Sequence, residues 1–67
     1  MPIIQVSILS GRPAAMKQTL LRSLAEATST SLGVPLSAVR VILTEVAPEY
    51  WTVGGEPLPP PKIPTKE

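Results

Sequence analysis

The first nine residues of the chain follow a pattern in which every second side chain falls on the same face. Ile4, Val6 and Ile8 fall on one face of an extended segment, and the residues between them fall on the other face. A period of two among β-branched residues is typical of a half-buried strand, so we predict a first strand over residues 2–9. The Ser-Gly-Arg-Pro sequence at 10–13 then ends that strand.

Residues 13–32 follow a longer period. Apolar or small side chains recur at Met16, Leu20, Leu24, Ala27 and Ser31, with Leu21, Thr28 and Leu32 beside them, while Lys17, Arg22, Glu26 and Ser29 fall mostly on the other side. Steps of three and four residues predict an amphipathic helix. Pro13 suits a first helical turn, and Gly33 followed by Pro35 is typical of a helix end.

A second apolar segment at residues 39–46 predicts a buried strand that carries polar residues at Arg40, Thr44 and Glu45. A helix of roughly 30 Å can return the chain between the two strands, which predicts parallel pairing with a right-handed crossover. The expected fold class is therefore α/β, a single β-α-β unit with one long helix. Two strands and one helix leave a sheet face and the strand edges uncovered, so we expect oligomerisation to complete the fold.

The chain changes character after the second strand. Pro48, the aromatic pair Tyr50-Trp51 and the glycine pair Gly54-Gly55 predict a loop or short hairpin over residues 47–56. Five prolines follow within residues 57–67, and such a segment favours an extended, polyproline-like conformation. We therefore expect a β-α-β domain at 1–56 and a proline-rich tail at 57–67.

Composition excludes several classes of function. The chain has no cysteine and no histidine, so a disulfide is impossible and we expect no zinc or copper site. A formal net charge of +1 without clustered basic residues argues against a nucleic-acid partner. No stretch has the length of a membrane span and no signal peptide is visible, so we expect a cytoplasmic protein without a membrane partner.

Pro2 is the unusual chemical feature. Methionine aminopeptidases remove Met1 when a small side chain follows, and this cleavage would leave a secondary amine on Pro2. A free α-amino group has a pKa of about 7.7–8.0, and burial or nearby cations lower it, so the amine could serve as a general base near neutral pH. Alternatively, Pro2 merely begins a strand, and while Met1 remains attached its nitrogen is an amide.

Two arginines and one tryptophan are the other candidates. Arg12 lies where the first strand ends, and Arg40 lies early in the second strand among apolar residues. A guanidinium in such a place has a carboxylate partner, either in the protein as a structural ion pair or on a ligand. Trp51 is either a packing anchor at a subunit interface or an apolar wall that lowers the dielectric beside the amine.

These features lie within a set of short motifs. The motifs are Met-Pro-Ile-Ile at the start, Ile-Leu-Ser-Gly-Arg at 8–12, Leu-Ser-Ala-Val-Arg-Val-Ile at 36–42, Thr-Glu at 44–45 and Trp-Thr-Val-Gly-Gly-Glu at 51–56. In order and spacing they resemble the 4-oxalocrotonate tautomerase family over about residues 2–56, with no gap needed. Each motif alone is weak, and the specificity lies in their combination.

The resemblance implies a homohexamer built as a trimer of dimers, acting without a cofactor. It implies that Pro2 moves a proton in an unsaturated 2-oxo or 2-hydroxy acid, typically the dicarboxylate 2-hydroxymuconate. Arg12 would then bind a carboxylate, Arg40 of a neighbouring subunit would polarise the 2-oxo or 2-hydroxy end, and Trp51 would line the pocket. Such an enzyme serves either the catabolism of aromatic ring-cleavage products or a biosynthetic pathway.

The sequence departs from the family pattern at several positions. Ser10 stands where a glutamate is frequent, Pro13 replaces the usual Ser or Thr helix cap, and Trp51 replaces a phenylalanine. These differences bear on the substrate more than on the proton chemistry. Two alternatives stay open: a haloacrylate dehalogenase of the same superfamily, which would need a carboxylate just after Trp51, and a non-catalytic oligomeric module whose PxxP-containing tail binds aromatic grooves.

Overall fold

The computed structural model describes residues 1–58, so most of the proline-rich tail lies outside the described residues. Strand β1 spans Ile3–Leu9, helix α1 spans Ala14–Leu32, strand β2 spans Arg40–Val46, and two short strands follow, β3 at Thr52–Val53 and β4 at Glu56–Pro57. Single turns of 3-10 helix at Leu36–Ala38 and Pro48–Tyr50 lead into β2 and β3. The predicted strands and helix are thus confirmed, with bounds within one residue of those expected.

The two long strands pair in parallel, which confirms the β-α-β fold class. The register runs from Ile3 opposite Arg40 to Leu9 opposite Val46. The short strands β3 and β4 form a separate antiparallel hairpin. Its turn needs positive φ at both central residues, and Gly54 and Gly55 supply φ values of 63° and 83°, as a type I′ hairpin turn requires.

Helix α1 ends as its sequence predicts. Gly33 adopts a left-handed conformation with φ 68°, and the N–H groups of Gly33 and Val34 both donate to the carbonyl of Ser29, at 2.9 and 3.2 Å. The two bonds share the carbonyl of Ser29, one of the groups that the last turns of a helix can leave unpaired. Pro35 follows at once and prevents the helix from continuing.

The polar side of α1 differs from the prediction. Lys17 and Ser29, which were expected on the solvent side, are half-buried, whereas Met16 and Ala27 are exposed. The expectation was wrong because both polar side chains have partners: the Lys17 ammonium forms an ion pair with Glu45, and the Ser29 hydroxyl donates to the carbonyl of Val34 at 2.6 Å. The apolar stem of a lysine can pack against neighbours once its charge is satisfied.

One face of the β1–β2 sheet lies under α1 and the other is open. Lys17 of α1 reaches Glu45, which shares a face of β2 with the half-buried Val41 and Leu43. On the opposite face, Ile3 and Ile42 are 59% and 48% exposed. None of residues 1–58 is fully buried in the single chain, so the subunit lacks a closed core of its own, as expected for a chain completed by a partner.

No helix among residues 1–58 combines the length and apolar character needed to cross a lipid bilayer.

Candidate functional site

Pro2 and Arg40 lie together where the two parallel strands begin. The backbone N–H of Arg40 donates a 3.0 Å hydrogen bond to the carbonyl of Pro2, which extends the β1–β2 ladder by one position. The Arg40 guanidinium donates through Nη1 to the carbonyl of Ser37 at 2.9 Å and stays exposed. We call this end of the sheet, marked by Pro2 and Arg40, the amino edge.

The nitrogen of Pro2 has the chemistry of an amide while Met1 is attached, and an amide is not a base at neutral pH. Met1 is 80% exposed, whereas Pro2 is half-buried. Removal of Met1 would expose a secondary amine at a position already fixed by the Arg40 hydrogen bond. After that removal, the amino edge would carry a secondary amine on the residue that pairs with the backbone of Arg40.

Arg12 and Trp51 lie at the other end of the sheet, where both strands finish. The N–H of Ser10 donates to the carbonyl of Val46 at 3.0 Å, which holds the chain after β1 against the end of β2. The half-buried Arg12 donates through Nη1 to the carbonyl of Leu9 at 3.2 Å. Trp51 follows a few residues after β2, half-buried, with its N–H on the carbonyl of Pro48 at 3.2 Å. We call this end the carboxyl edge.

The structure therefore places Pro2 and Arg40 at one end of the sheet, joined by a backbone hydrogen bond, while Arg12 and Trp51 follow the other end of the sheet. A strand advances about 3.3 Å per residue, so the seven residues of β1 separate the two edges by roughly 20 Å. That length exceeds a small organic acid, so we expect the Pro2 and the Arg12 of one site to come from different chains. The expectation that a neighbouring subunit supplies Arg40 stays a prediction.

Sequence reasoning missed the ion pair between Lys17 and Glu45. The Lys17 Nζ lies 2.8 Å from the Glu45 Oε2, and the pair joins the beginning of α1 to the carboxyl edge. A signal was present, since Glu45 shares the period-two face of Val41 and Leu43 and an inward carboxylate requires a partner.

Other features of the described residues do not add to the site. A shallow depression on the outer face of α1 is lined by Gln18, Thr19, Arg22, Ser23 and Glu26, and it includes none of the four candidates. Within residues 1–58, no three acidic side chains come close enough together to hold a metal ion.

Comparison with known proteins assigns the family. The family model for the tautomerase enzymes matches residues 2–59. A 2-hydroxymuconate tautomerase of Pseudomonas putida is 52% identical over 56 residues, which are 84% of this chain and 89% of that protein. A probable tautomerase of Ralstonia nicotianae is 40% identical over 67 residues, 100% of this chain and 96% of its own length.

A solved structure agrees with these relatives. The heterohexameric 4-oxalocrotonate tautomerase of Chloroflexus aurantiacus superposes with a TM-score of 0.81 at 40% identity, covering 85% of this chain and 92% of its own. The chain therefore belongs to the tautomerase family, in the group of the 4-oxalocrotonate tautomerases. It is an isomerase that carries out tautomerisation, and neither the family nor these relatives favours the dehalogenase or the interaction module.

Proposed function

We propose that this enzyme interconverts the enol and keto forms of 2-hydroxymuconate or a closely similar unsaturated 2-hydroxy acid, with the amine of Pro2 as its general base. The observation that carries the proposal is the position of Pro2, tied at 3.0 Å to the backbone of Arg40 at the amino edge. The chain has no histidine, so the processed amine is the group best suited to accept a proton near neutral pH. The named activity of the Pseudomonas putida relative supports the choice of substrate.

The proposed reaction moves one proton. The neutral amine of Pro2 accepts the proton of the substrate's 2-hydroxyl group, the electron pair moves into the conjugated chain, and the resulting ammonium returns a proton to a chain carbon. The product is the 2-oxo isomer, and no atom is gained or lost. The ring fixes the amine in one orientation, so little rotational freedom is lost in reaching the transition state.

The two arginines have separate parts in this proposal. Arg12, half-buried at the carboxyl edge, binds a carboxylate that is present in substrate, transition state and product alike. Arg40 faces the 2-hydroxyl or 2-oxo end, where negative charge develops as the proton leaves, so its contribution is largest in the transition state. Trp51 forms an apolar wall that excludes water and strengthens both interactions.

In this arrangement a complete site combines Pro2 of one chain with Arg12 and Trp51 of another, and its Arg40 comes from a neighbouring subunit. The amino and carboxyl edges of one sheet are roughly 20 Å apart by the rise of a strand, but a twofold axis perpendicular to the sheet sets the amino edge of one subunit beside the carboxyl edge of the next. In such isologous pairing, the outer strand of one sheet pairs antiparallel with the same strand of the other subunit. The backbone N–H and C=O groups along that strand are then no longer exposed. Each pair of subunits then holds two equivalent sites.

A homohexamer built from three such pairs completes the proposal. Pairing through strand edges leaves the open face with Ile3 and Ile42, which are 59% and 48% exposed, still in contact with water. Packing of these faces against one another in a trimer of dimers would cover them. The hexameric assembly of the Chloroflexus aurantiacus relative supports this arrangement.

The test of the function compares two preparations of the same chain. Mass spectrometry identifies a form that lacks Met1 and a form that retains it, and each is assayed with 2-hydroxymuconate. We expect the processed form to be active and the Met1-bearing form to be slower by several orders of magnitude. Equal activity of the two forms would exclude Pro2 as the base.

A further inference from the structure

The segment that carries Arg12 is attached closely to the end of the sheet. Ser10 donates its N–H to Val46 at 3.0 Å, and the Arg12 guanidinium donates back to Leu9 at 3.2 Å. These contacts fix where the segment leaves β1. The direction in which it continues depends on the place where α1 begins, since Pro13 joins Arg12 directly to the helix.

The beginning of α1 lacks the usual cap. Pro13 occupies the N-cap position without a side-chain hydrogen bond, and the first turn has no acidic residue. A capping side chain and an acidic first turn are the ordinary means of fixing a helix start. The Pro13 carbonyl accepts the first hydrogen bonds of the helix, from the N–H groups of Met16 at 3.1 Å and of Lys17 at 3.3 Å.

The ion pair of Lys17 with Glu45 fixes this uncapped turn to the sheet. The two charged atoms are 2.8 Å apart, and their side chains are 23% and 36% exposed. Glu45 lies opposite Ile8 in the register, one position before the end of the sheet. A chain of contacts thus runs from Glu45 through Lys17 to the carbonyl of Pro13, which is the next residue after Arg12.

A second ion pair on the same helix provides a contrast. Arg22 and Glu26 are 3.6 Å apart and 73% and 56% exposed, one turn from each other within α1. That pair links no other element to the helix, and exposed pairs of this kind contribute little. Lys17–Glu45 differs in joining two elements at the carboxyl edge.

We propose that Lys17 and Glu45 are positioning residues that orient Arg12 toward the carboxylate of the substrate. This inference rests on the proposed function, in which Arg12 binds that carboxylate. Neither residue is proposed to touch the substrate. Loss of the ion pair lets the uncapped turn shift and moves the guanidinium of Arg12 away from its best position, which weakens binding more than it slows the proton transfer.

The first experiment measures kcat and KM for 2-hydroxymuconate in Lys17→Met and Glu45→Gln. Both substitutions remove the charge and keep the approximate size, and the methionine keeps the apolar stem of the lysine. A partly exposed ion pair contributes up to about 1 kcal/mol, so we expect KM to rise about fivefold with kcat changed by less than about twofold. The reversed pair Lys17→Glu with Glu45→Lys should return KM to within about twofold of the original value.

Matched controls come from the exposed pair. Arg22→Met and Glu26→Gln remove the same kinds of charge from the same helix, and we expect both to leave KM and kcat unchanged. Thermal unfolding and sedimentation of every variant identify any that fails to fold or assemble. If Lys17→Met does not fold, the milder Glu45→Gln carries the test.

The decisive measurement is a double-mutant cycle with Arg12→Ala. If Lys17 acts through Arg12, then Lys17→Met should raise KM in the original protein and have almost no further effect once Arg12 is absent. Effects that multiply independently would overturn the inference, as would an unchanged KM in Lys17→Met. An Arg12→Ala variant with normal KM would instead contradict the proposed function, so the two failures are distinguishable.

Discussion

The backbone N–H of Arg40 donates to the carbonyl of Pro2 at 3.0 Å, which makes the start of β2 the support of the proposed catalytic base. The bond leaves the nitrogen of Pro2 uninvolved and fixes the residue that bears it. A base held in this way does not need to be ordered when substrate binds. The bond is made by backbone atoms, so substitution of the Arg40 side chain leaves this support in place.

Pro2→Ala should lower kcat by about 100-fold, the lower range of what a positioned general base contributes. The variant still offers a primary amine after Met1 is removed, so its activity should exceed that of a chain that retains Met1. Steady-state kinetics with 2-hydroxymuconate, on samples whose N-terminus is checked by mass spectrometry, gives the comparison. An unchanged kcat in the processed variant would contradict the role of the proline ring.

Arg12→Ala and Arg40→Ala should differ in the kinetic parameter that each one changes. We expect Arg12→Ala to raise KM by about tenfold with a smaller change in kcat, since it loses a charge-assisted contact made throughout the reaction. Arg40→Ala should lower kcat by about 100-fold, as removal of a single oxyanion donor does. If both variants show normal kinetics on the folded fraction and lose only stability, the arginines are structural.

Two impaired variants should restore activity when their subunits are mixed. Pro2→Ala has an intact carboxyl edge and Arg12→Ala has an intact amino edge, so a mixed pair of subunits contains one complete site and one doubly impaired site. Partial unfolding and refolding of an equal mixture, followed by assay, should give more activity than the mean of the two variants refolded separately. Activity equal to that mean would place Pro2 and Arg12 of one site in the same chain.

Ile42→Lys should weaken the assembly. Ile42 is 48% exposed on the open sheet face of the single chain, and a lysine there would place an unpaired charge in the proposed interface. Sedimentation should show a smaller species at micromolar concentration and the assay should show loss of activity. Ser23→Lys, on the exposed side of α1, serves as the matched control, and an unchanged mass for Ile42→Lys would argue against burial of this face.

Local patterns were sufficient to predict most of the fold. The alternation at Ile4, Val6 and Ile8 predicts a sheet with one covered face. Gly33 and Pro35 specify the end of the helix through backbone geometry that few other residues adopt. The period of α1 was less informative about which polar residues turn inward. Lys17 and Ser29 lie half-buried because they bind Glu45 and Val34. Glu45 is distant from Lys17 in the sequence and Val34 lies outside the helix, so the helical period does not reveal either partner.

The sequence proposes the candidate site as a set of residues but not as an arrangement. Motif order points to Pro2, Arg12, Arg40 and Trp51, whereas their division between the two edges follows from parallel pairing and strand length. The Lys17–Glu45 contact depends on how α1 lies on β2, which periodicity alone does not determine. The assembly is harder to predict. The sequence of one subunit indicates that a partner is needed, but it does not specify the symmetry that relates the subunits.

The placement of Pro2 and Arg12 at opposite edges also bears on how genes for such an enzyme can diverge. If each site takes Pro2 from one chain and Arg12 from another, as proposed, one copy can lose its proline after a gene duplication while the other loses its arginine, and every mixed pair of subunits still contains one intact site. Neither copy is then dispensable, although neither encodes an active enzyme by itself. A site divided in this way would allow a single gene to evolve into two genes whose products are active only together.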